Sequence, residues 1–557
     1  MNTSRIINHL SPFTLLLAFL VLLPWQTFAS EYYISKAGVD SNTGSFESPW
    51  KTISKANTEL EPGDTVFIRS GQYEEQIKPS KSGAEGAYIT YSGYLTENPK
   101  ITNSPGGLAI NLVGRSYIKV EKLEVNGKNL WPNANLNTWV LMDNSNHNVI
   151  QNNTMQFGDG PGIKIDNGSK YNKIIGNTLD GIGTLDDGSR SKGDVITVQG
   201  GSSFNLVEGN TLTRGGHNLF VTVSVSYNII RNNIFNNQWS DTTGYRALTL
   251  KSRDATDGWN VFEHNIVKNS LTSIHKGDPA GLKVEGKNQI VRNNIIFNNS
   301  EEGITGGSRD GDTTCVDNKI FNNTFYNNGG PAWLLREYSG SIPITGNIFK
   351  NNIVYKNRID PDSSNLANDL VILISGKLGN SLISSNAIVK SSPGDAKVYL
   401  KDSGGSMSLS NAESDFSGSF KGNLQVEPKF VSSSPNDKDD FELTSGSELI
   451  DAGEYLTYTT SNGTGKEVTV IDAGYFTDGH NLISGDMIQV GNNSPVKITD
   501  VNYSNNTITV SSEISWDNED GVSLQYNGSG VDIGALEYGA VDYSPPKPPK
   551  NIEARVL

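Results

Sequence analysis

Cysteine is almost missing from this chain. Cys315 is the only one in 557 residues, so no internal disulfide framework holds the protein together, and the thiol reads as a small buried hydrophobe. Charge is sparse, at 19 % Asp, Glu, Lys and Arg, and leans acidic, with a formal net charge of −15. That balance argues against nucleic acid or an anionic membrane surface as a partner. It also disfavours an acidic polysaccharide unless cations or a local basic patch intervene. Long apolar runs are lacking as well. Beyond Phe13–Leu23 no stretch approaches the roughly 18 residues of a membrane span, so a soluble protein with no membrane partner is expected once that segment is removed. Arg5 ahead of the apolar run and Thr27-Phe28-Ala29 behind it predict a secretory signal peptide over 1–29, and hence an extracellular or periplasmic protein.

Glycine (58 residues) and asparagine are abundant instead. Between Asn144 and Asn386 a phrase recurs: an Asn, a short apolar pair, and another Asn five residues on. It reads NVIQNN from Asn148, NKIIGN from Asn172, NLVEGN from Asn205, NIIRNN from Asn228 and NVFEHN from Asn260. NQIVRN from Asn288, NKIFNN from Asn318, NIFKNN from Asn347 and a looser NSLISSN ending at Asn386 complete the series. A period of roughly 23–34 residues is that of a solenoid or propeller. The apolar runs are short and rich in Ile, Val and Phe, as strands are, and the fixed leucines of leucine-rich repeats are missing. Asn tolerates the left-handed backbone of a tight corner. Stacked on its copies at about 4.8 Å, its amide can bond to the next as a ladder. The fold predicted is all-β, a parallel β-helix.

The phrase NxIxxN with glycine between repeats resembles bacterial right-handed parallel β-helix proteins of the pectate-lyase-like superfamily. A second resemblance lies in the segment from Gly38. Gly38, Asp40, Asn42, Gly44, Pro49, Thr52, Ile53 and Ala56, followed by Gly63, Asp64, Thr65, Gly71 and Tyr73, match the N-terminal cap phrase of secreted β-helix carbohydrate enzymes. It implies a strand at Tyr32–Ser35, a capping helix near Thr52–Leu60 and a first coil strand at Thr65–Arg69. The β-helix with its cap is expected over 30–453, a small β-barrel-like insertion over 454–530, a closing β-helix segment (VDIGALEY) over 531–543 and a proline-rich tail over 544–557. A monomer is expected.

Each coil carries a second strand between its Asn phrases. Period-2 alternation predicts Ile163 and Ile165, Leu219 and Val221, Leu248 and Leu250, and Leu282 and Val284 inward, with Lys164, Thr249, Lys251 and Lys283 outward. Asp194, His217 and Arg246 hold comparable places at the leading edge. Asp194 and Arg246 are then two coil steps apart, roughly 10 Å, the size of one sugar site. Glu302 is four steps from Asp194, roughly 19 Å, too far for the roughly 5–9.5 Å of a glycosidase carboxylate pair.

The residue types suit β-elimination on a uronate chain, which needs a cation or Arg to neutralise the carboxylate and a base to take the adjacent proton. Lys251 or His217 as base and Arg246 as neutraliser are the expected catalytic residues. Asp194, Lys283, Glu302, Trp239, Tyr245, Trp333 and Arg336 are the expected contacts to the polysaccharide, the three aromatics offering flat faces to sugar rings. His217 after Gly215-Gly216 equally suits a structural corner, and Arg246 a structural partner for Asp194. Acidic loops, with Asp310 and Asp312 as metal candidates, suit Ca2+ or plain solvated turns. The SDDGWDL-like calcium motif of family 9 polysaccharide lyases has only LDDGS (from Leu185) and TDGWN (from Thr256) to set against it, and the DPHE-like motif of alginate epimerases is absent, so neither family's site residues carry over. A polysaccharide lyase is the first expectation. A glycoside hydrolase using loop carboxylates near Asp310 and a non-catalytic glycan-binding surface protein are the alternatives.

Overall fold

The structure, a computed structural model, describes residues 29–540 except 103–106, 127–137, 159, 184–192, 237–247, 252–257, 271–279, 309–313, 338–343, 358–369, 375–377, 390–395 and 401–403. Residues 1–28 of the expected signal peptide and the whole proline-rich tail lie outside the described residues. Three short strands per coil stack on the coils above and below to form three long parallel sheets, wound as a right-handed β-helix. Register never slips along the first sheet: Ile150, Ile174, Val207, Ile230, Phe262, Val291, Ile320, Phe349 and Ile383 lie side by side. All nine are buried. One central residue of each Asn phrase thus fills the interior, and its neighbours point out.

The asparagines hold this stack together. Asn294 shows the pattern: its Nδ2 donates to the Phe262 carbonyl oxygen, the Arg292 carbonyl oxygen and Asn323 Oδ1, each at 2.9 Å. Its Oδ1 accepts from the backbone N–H of Asn265 at 2.9 Å. The same contacts recur from Asn153 through Asn177, Asn210, Asn233, Asn265, Asn294, Asn323 and Asn352 to Asn386 and Asn423. A second ladder runs from Asn172 through Asn205, Asn228 and Asn260 to Gln289, then on through Asn318 to Asn347. Gln289 corrects the phrase read from Asn288: the ladder position is one residue later, and Asn288 precedes it.

A second correction concerns backbone conformation. The ladder asparagines are not the left-handed residues; the residue before each one is. Asn152, Asn232, Asn293, Asn322 and Asn351 have φ of 51–55°, and Gly176 and Gly209 replace Asn there at 63° and 66°. The corner therefore divides its work between adjacent residues, one adopting positive φ and the next donating and accepting along the stack. Before the other ladder the left-handed residues are bulky: Tyr117, His147, Tyr171, Phe204, Tyr227 and Trp259 all have φ of 56–61°. Each such residue costs roughly 1–2 kcal/mol. Ring stacking offsets part of that: Tyr117–His147, His147–Tyr171, Tyr171–Phe204 and Phe204–Tyr227 stack at 4.7–5.5 Å, and an aromatic pair contributes about 0.5–1.5 kcal/mol beyond burial.

Both open ends of the core are covered, since an exposed β-helix end would offer unpaired strands to another chain. The helix Ile53–Glu59, N-capped by Thr52, buries Ile53 and Ala56 at one end. The strands beside it run Glu31–Ile34 and Thr65–Ile68. At the other end the helix Leu409–Asp415, N-capped by Ser408, buries Leu409 and Ala412; sequence reading gave no sign of it.

The C-terminal part lies back along the outside of the β-helix. Strands between Thr457 and Leu524 form a six-stranded antiparallel sheet. Its apolar side packs on Leu206, Ile229, Val261, Ile290 and Phe321, on the outer face of the first sheet. Arg292 crosses that junction, 2 % exposed, with Nη2 at 2.6 Å from both Glu263 Oε2 and Asp486 Oδ1. Burial opposes the charge on Glu263, but the Arg292 guanidinium outweighs it and holds that carboxyl well below its usual range. Phe441, Leu443, Leu449, Ile533 and Ala535 cover the outer face of the second sheet, against Phe297, Tyr326 and Ile353.

Two predictions follow from these contacts. Asn294→Ala would orphan groups on both neighbouring coils, each costing about 1–3 kcal/mol; a fall of about 2–4 kcal/mol in urea denaturation is expected. The second concerns the closing segment, where Glu537 Oε1 accepts the Asp532 N–H at 3.1 Å. Burial, reinforced by the Asp532 charge, pushes the Glu537 carboxyl up to about 8 from an ordinary 4.5. The folded state therefore keeps a proton that the unfolded chain releases. This contribution is complete below about 4.5 and lost as pH rises through about 8. Glu537→Gln, neutral throughout, is expected to gain stability relative to the natural protein across that window, read from denaturation midpoints at its two ends.

Candidate functional site

With the outer faces of the first and second sheets covered by the C-terminal part, the third sheet carries the polar rows. In it Ile163, Ile196, Phe220, Leu248, Leu282, Ile304 and Trp333 stand in one inward row. Lys164, Thr197, Val221, Thr249, Lys283 and Thr305 stand beside it in an outward row. This register corrects the phase expected for one coil: Phe220 and Thr222 take the inward row and Val221 the outward one, while Leu219, just before the strand, is buried in the core as expected. Leu219, Phe220 and Val221 are all apolar, so alternation alone could not set the phase. Phe220 wins the interior, where its ring meets Phe235 at 6.3 Å.

At the leading edge of this sheet the side chains form a connected chain. His217 Nδ1 lies 2.6 Å from Asp194 Oδ1. Asn218 Nδ2 donates to the same Asp194 oxygen at 2.7 Å. Thr249 Oγ1 donates to Asn218 Oδ1 at 3.3 Å, and the Asp194 carboxylate, which can only accept, turns the amide nitrogen toward itself. Thr197 Oγ1 lies 3.5 Å from Asp194 Oδ2. Nδ1 of His217 also lies 2.8 Å from Asn218 Nδ2. Two donors share one carboxylate oxygen more favourably than they face each other, so the tautomer consistent with this geometry has Nδ1–H donating to Asp194. Nε2 then carries the lone pair. The His217 side chain is 34 % exposed and that of Asp194 21 %. A carboxylate that orients an imidazole and would stabilise its cation is an arrangement for proton transfer.

The trailing edge is different. Lys251 pairs in register with Glu285 on the next coil, its Nζ 3.7 Å from Glu285 Oε2. Lys283, two residues before Glu285, forms an ion pair with the same carboxylate. The Glu285 side chain is fully buried and those of the two lysines are 7–10 % exposed. Lys251 is level with Val223, six residues from His217 and so up to roughly 20 Å away along the strand direction. The structure therefore does not bring Lys251 and His217 to one reacting centre. Lys164 is likewise engaged, with Asp166 Oδ2 at 2.7 Å.

The remaining expected residues separate clearly. Trp333 is a correction: it is 1 % exposed, in the inward row, stacked on Phe349 at 5.2 Å and 4°, and so offers no face to a sugar. Glu302 is buried and four coil steps from Asp194, which upholds the separation of roughly 19 Å. Arg336 lies opposite Gly307 on strand Trp333–Glu337, with its side chain outside the described residues. Arg246, Trp239, Tyr245, Asp310 and Asp312 also lie outside them. Among the described residues no group of three or more His, Cys, Asp or Glu side chains is placed to hold a metal ion. Asp194 already accepts from His217 and Asn218, and Asp166 from Lys164 and Gln199, a poor fit to the six to eight oxygens that calcium takes.

Sequence reading missed Asn218 and Glu285. Asn218 gave a weak signal by following His217 at the strand's start. Glu285 gave a clearer one, alternating with Lys283 in LKVE. For Trp333, burial predicts that Trp333→Ala lowers stability by about 3–5 kcal/mol in chemical denaturation, whereas a surface platform would tolerate the change.

Comparison with known proteins agrees with this architecture. A family model for the Pel9A-like right-handed β-helix region matches residues 32–339, more than half of the chain. YwoF of Bacillus subtilis (strain 168), described as uncharacterized, is 26 % identical over 347 residues, 58 % of this chain and 68 % of its own. Pectate lyase L of Paenibacillus polymyxa (strain SC2) is 25 % identical over 327 residues, 54 % of this chain and 64 % of its own. The crystal structure of pectate lyase Pel9A aligns over 92 % of this chain and 97 % of that one, at 15 % identity and a TM-score of 0.46. The chain belongs to the Pel9A-like right-handed β-helix family.

Proposed function

We propose that the protein is an exported polysaccharide lyase that cleaves a uronate-containing chain by β-elimination over the third sheet. The observation that carries this reading is the Thr249–Asn218–Asp194–His217 chain at the edge of that sheet. A distant likeness to a pectate lyase agrees with it. His217 is the base in this scheme. Its Nε2 takes the proton on the carbon next to the uronate carboxylate. The released electron pair forms the new C=C bond, the bond to the leaving glycosidic oxygen breaks, and that oxygen gains a proton. Asp194 is a positioning residue, holding the ring through Nδ1 and stabilising the imidazolium.

The carboxylate of the substrate needs a positive partner at the same time. Arg246, on the coil after His217 in sequence, is assigned that part. Lys251 and Lys283, both paired with Glu285 further along the sheet, are assigned to substrate contact rather than to proton abstraction. No step is assigned to calcium.

The test is incubation with pectate, alginate and glycosaminoglycans, with and without chelator, following the ultraviolet absorbance of unsaturated uronate together with reducing ends. Chromophore on at least one acidic polymer is expected. His217→Ala should lower the rate about 10²–10⁴-fold, with a smaller loss for Asp194→Asn and unchanged thermal unfolding in both. Full activity in His217→Ala would remove the proposed base. Reducing ends without chromophore would indicate hydrolysis, and binding with neither product a glycan-binding protein.

A further inference from the structure

Away from the third sheet, the β-helix corner and the C-terminal sheet flank an open surface cleft of about 580 Å3, inside the roughly 300–1,000 Å3 range of small-molecule sites. Its aromatic lining comes from both sides: Tyr227 and Trp259 from successive corners of the β-helix, Tyr503 from the C-terminal sheet. Asp500, Asn502 and Ser504, at the end of strand Val496–Asn502 and the turn after it, supply the polar lining. We propose that this cleft binds a neutral pyranose unit of a glycan, as a subsite separate from the reacting groove.

The chemistry is that of sugar recognition. A pyranose has apolar C–H patches and a rim of hydroxyls, and it needs ring surfaces and a few fixed polar groups together. The aromatic side is rigid. Trp259 and Tyr503 stack at 3.6 Å and 7°. Tyr503 Oη donates to the Phe476 carbonyl oxygen at 2.9 Å. His480 stands edge-on to Tyr227 at 5.3 Å, and its ring nitrogen Nε2 lies 3.2 Å from the Trp259 carbonyl oxygen.

The polar side is ordered too. Asn502 Oδ1 accepts from the Ser504 backbone N–H at 3.1 Å and from Ser504 Oγ at 2.7 Å. A backbone N–H can only donate, so it identifies that atom as the oxygen and directs the amide NH2 away from the turn. An outward amide donor and the Asp500 carboxylate acceptor pair naturally with vicinal hydroxyls. Among the described residues no lysine or arginine lines the cleft, and Asp500 would repel a uronate carboxylate. The ligand is therefore neutral, whatever the charge of the chain cleaved elsewhere.

The inference does not depend on the reaction assigned to His217. It is tested by titration calorimetry of the full protein with cellohexaose, xylohexaose, galactohexaose and hexagalacturonate. At least one neutral hexaose should bind. Asn502→Ala and Asp500→Ala, both at exposed positions, should each weaken that binding about tenfold with no change in unfolding temperature, while His217→Ala binds as the natural protein does. A merely adhesive role for the aromatic stack would leave binding unaltered in the Asp500 and Asn502 variants. That result overturns the proposal, as does binding confined to hexagalacturonate or an absence of binding to any neutral hexaose.

Discussion

A side-chain amide inside a β-helix corner must satisfy two N–H donors and an oxygen where no water reaches. It can do so only if the coils before and after present complementary groups at one spacing. Asn meets that condition with itself: Asn265, Asn294 and Asn323 each take a backbone and a side-chain N–H from one coil and give their own to the next. An unmet group in such a place costs about 1–3 kcal/mol, so a slip of one residue in any coil is penalised at two corners at once. Gln289 shows the tolerance of the device. One extra methylene still lets its Oε1 accept from Asn260 at 3.1 Å and its own N–H reach Asn318.

Fixed register turns sequence into rows on a surface. Because Phe220 must face inward beside Ile196 and Leu248, His217 and Asn218 arrive at the sheet's edge against Asp194, and Thr249 arrives one coil on. The hydrogen-bonded chain through these residues spans three coils and is set by the stack rather than by local sequence. The C-terminal part then decides which outer face is used. Its sheet and closing segment cover the first and second sheets with apolar contacts and the buried Arg292 bridge.

The architecture was legible because the ladder imposes itself on composition: few residues other than Asn can serve at those corners, so the period is written openly. The N-terminal cap was legible for a similar reason, with Thr52 capping Ile53–Glu59 as its phrase implied. The site was less so. Strand alternation placed Lys164, Thr249 and Lys283 outward correctly but failed at NLFVTV, where three consecutive apolar residues allow either phase. Trp333 misled because an aromatic ring is equally at home in a core and on a sugar. Pairing across coils, as between Lys251 and Glu285, depends on loop lengths between them and has no local signature. The second helix, Leu409–Asp415, is only two turns long and too short for periodicity to declare it.

Charge is where fold and function meet most closely. A protein of net charge −15 would repel a polyuronate at long range, though salt screens that repulsion beyond roughly 8–10 Å. What matters at contact is the local row. On the third sheet Lys164 is paired with Asp166, and Lys251 and Lys283 are both paired with Glu285. An ammonium held by a carboxylate supplies charge, while an imidazole turned by Asp194 supplies a lone pair. Under the proposed lyase reading the two edges of the sheet offer different groups, ammoniums paired with Glu285 at one and an imidazole oriented by Asp194 at the other.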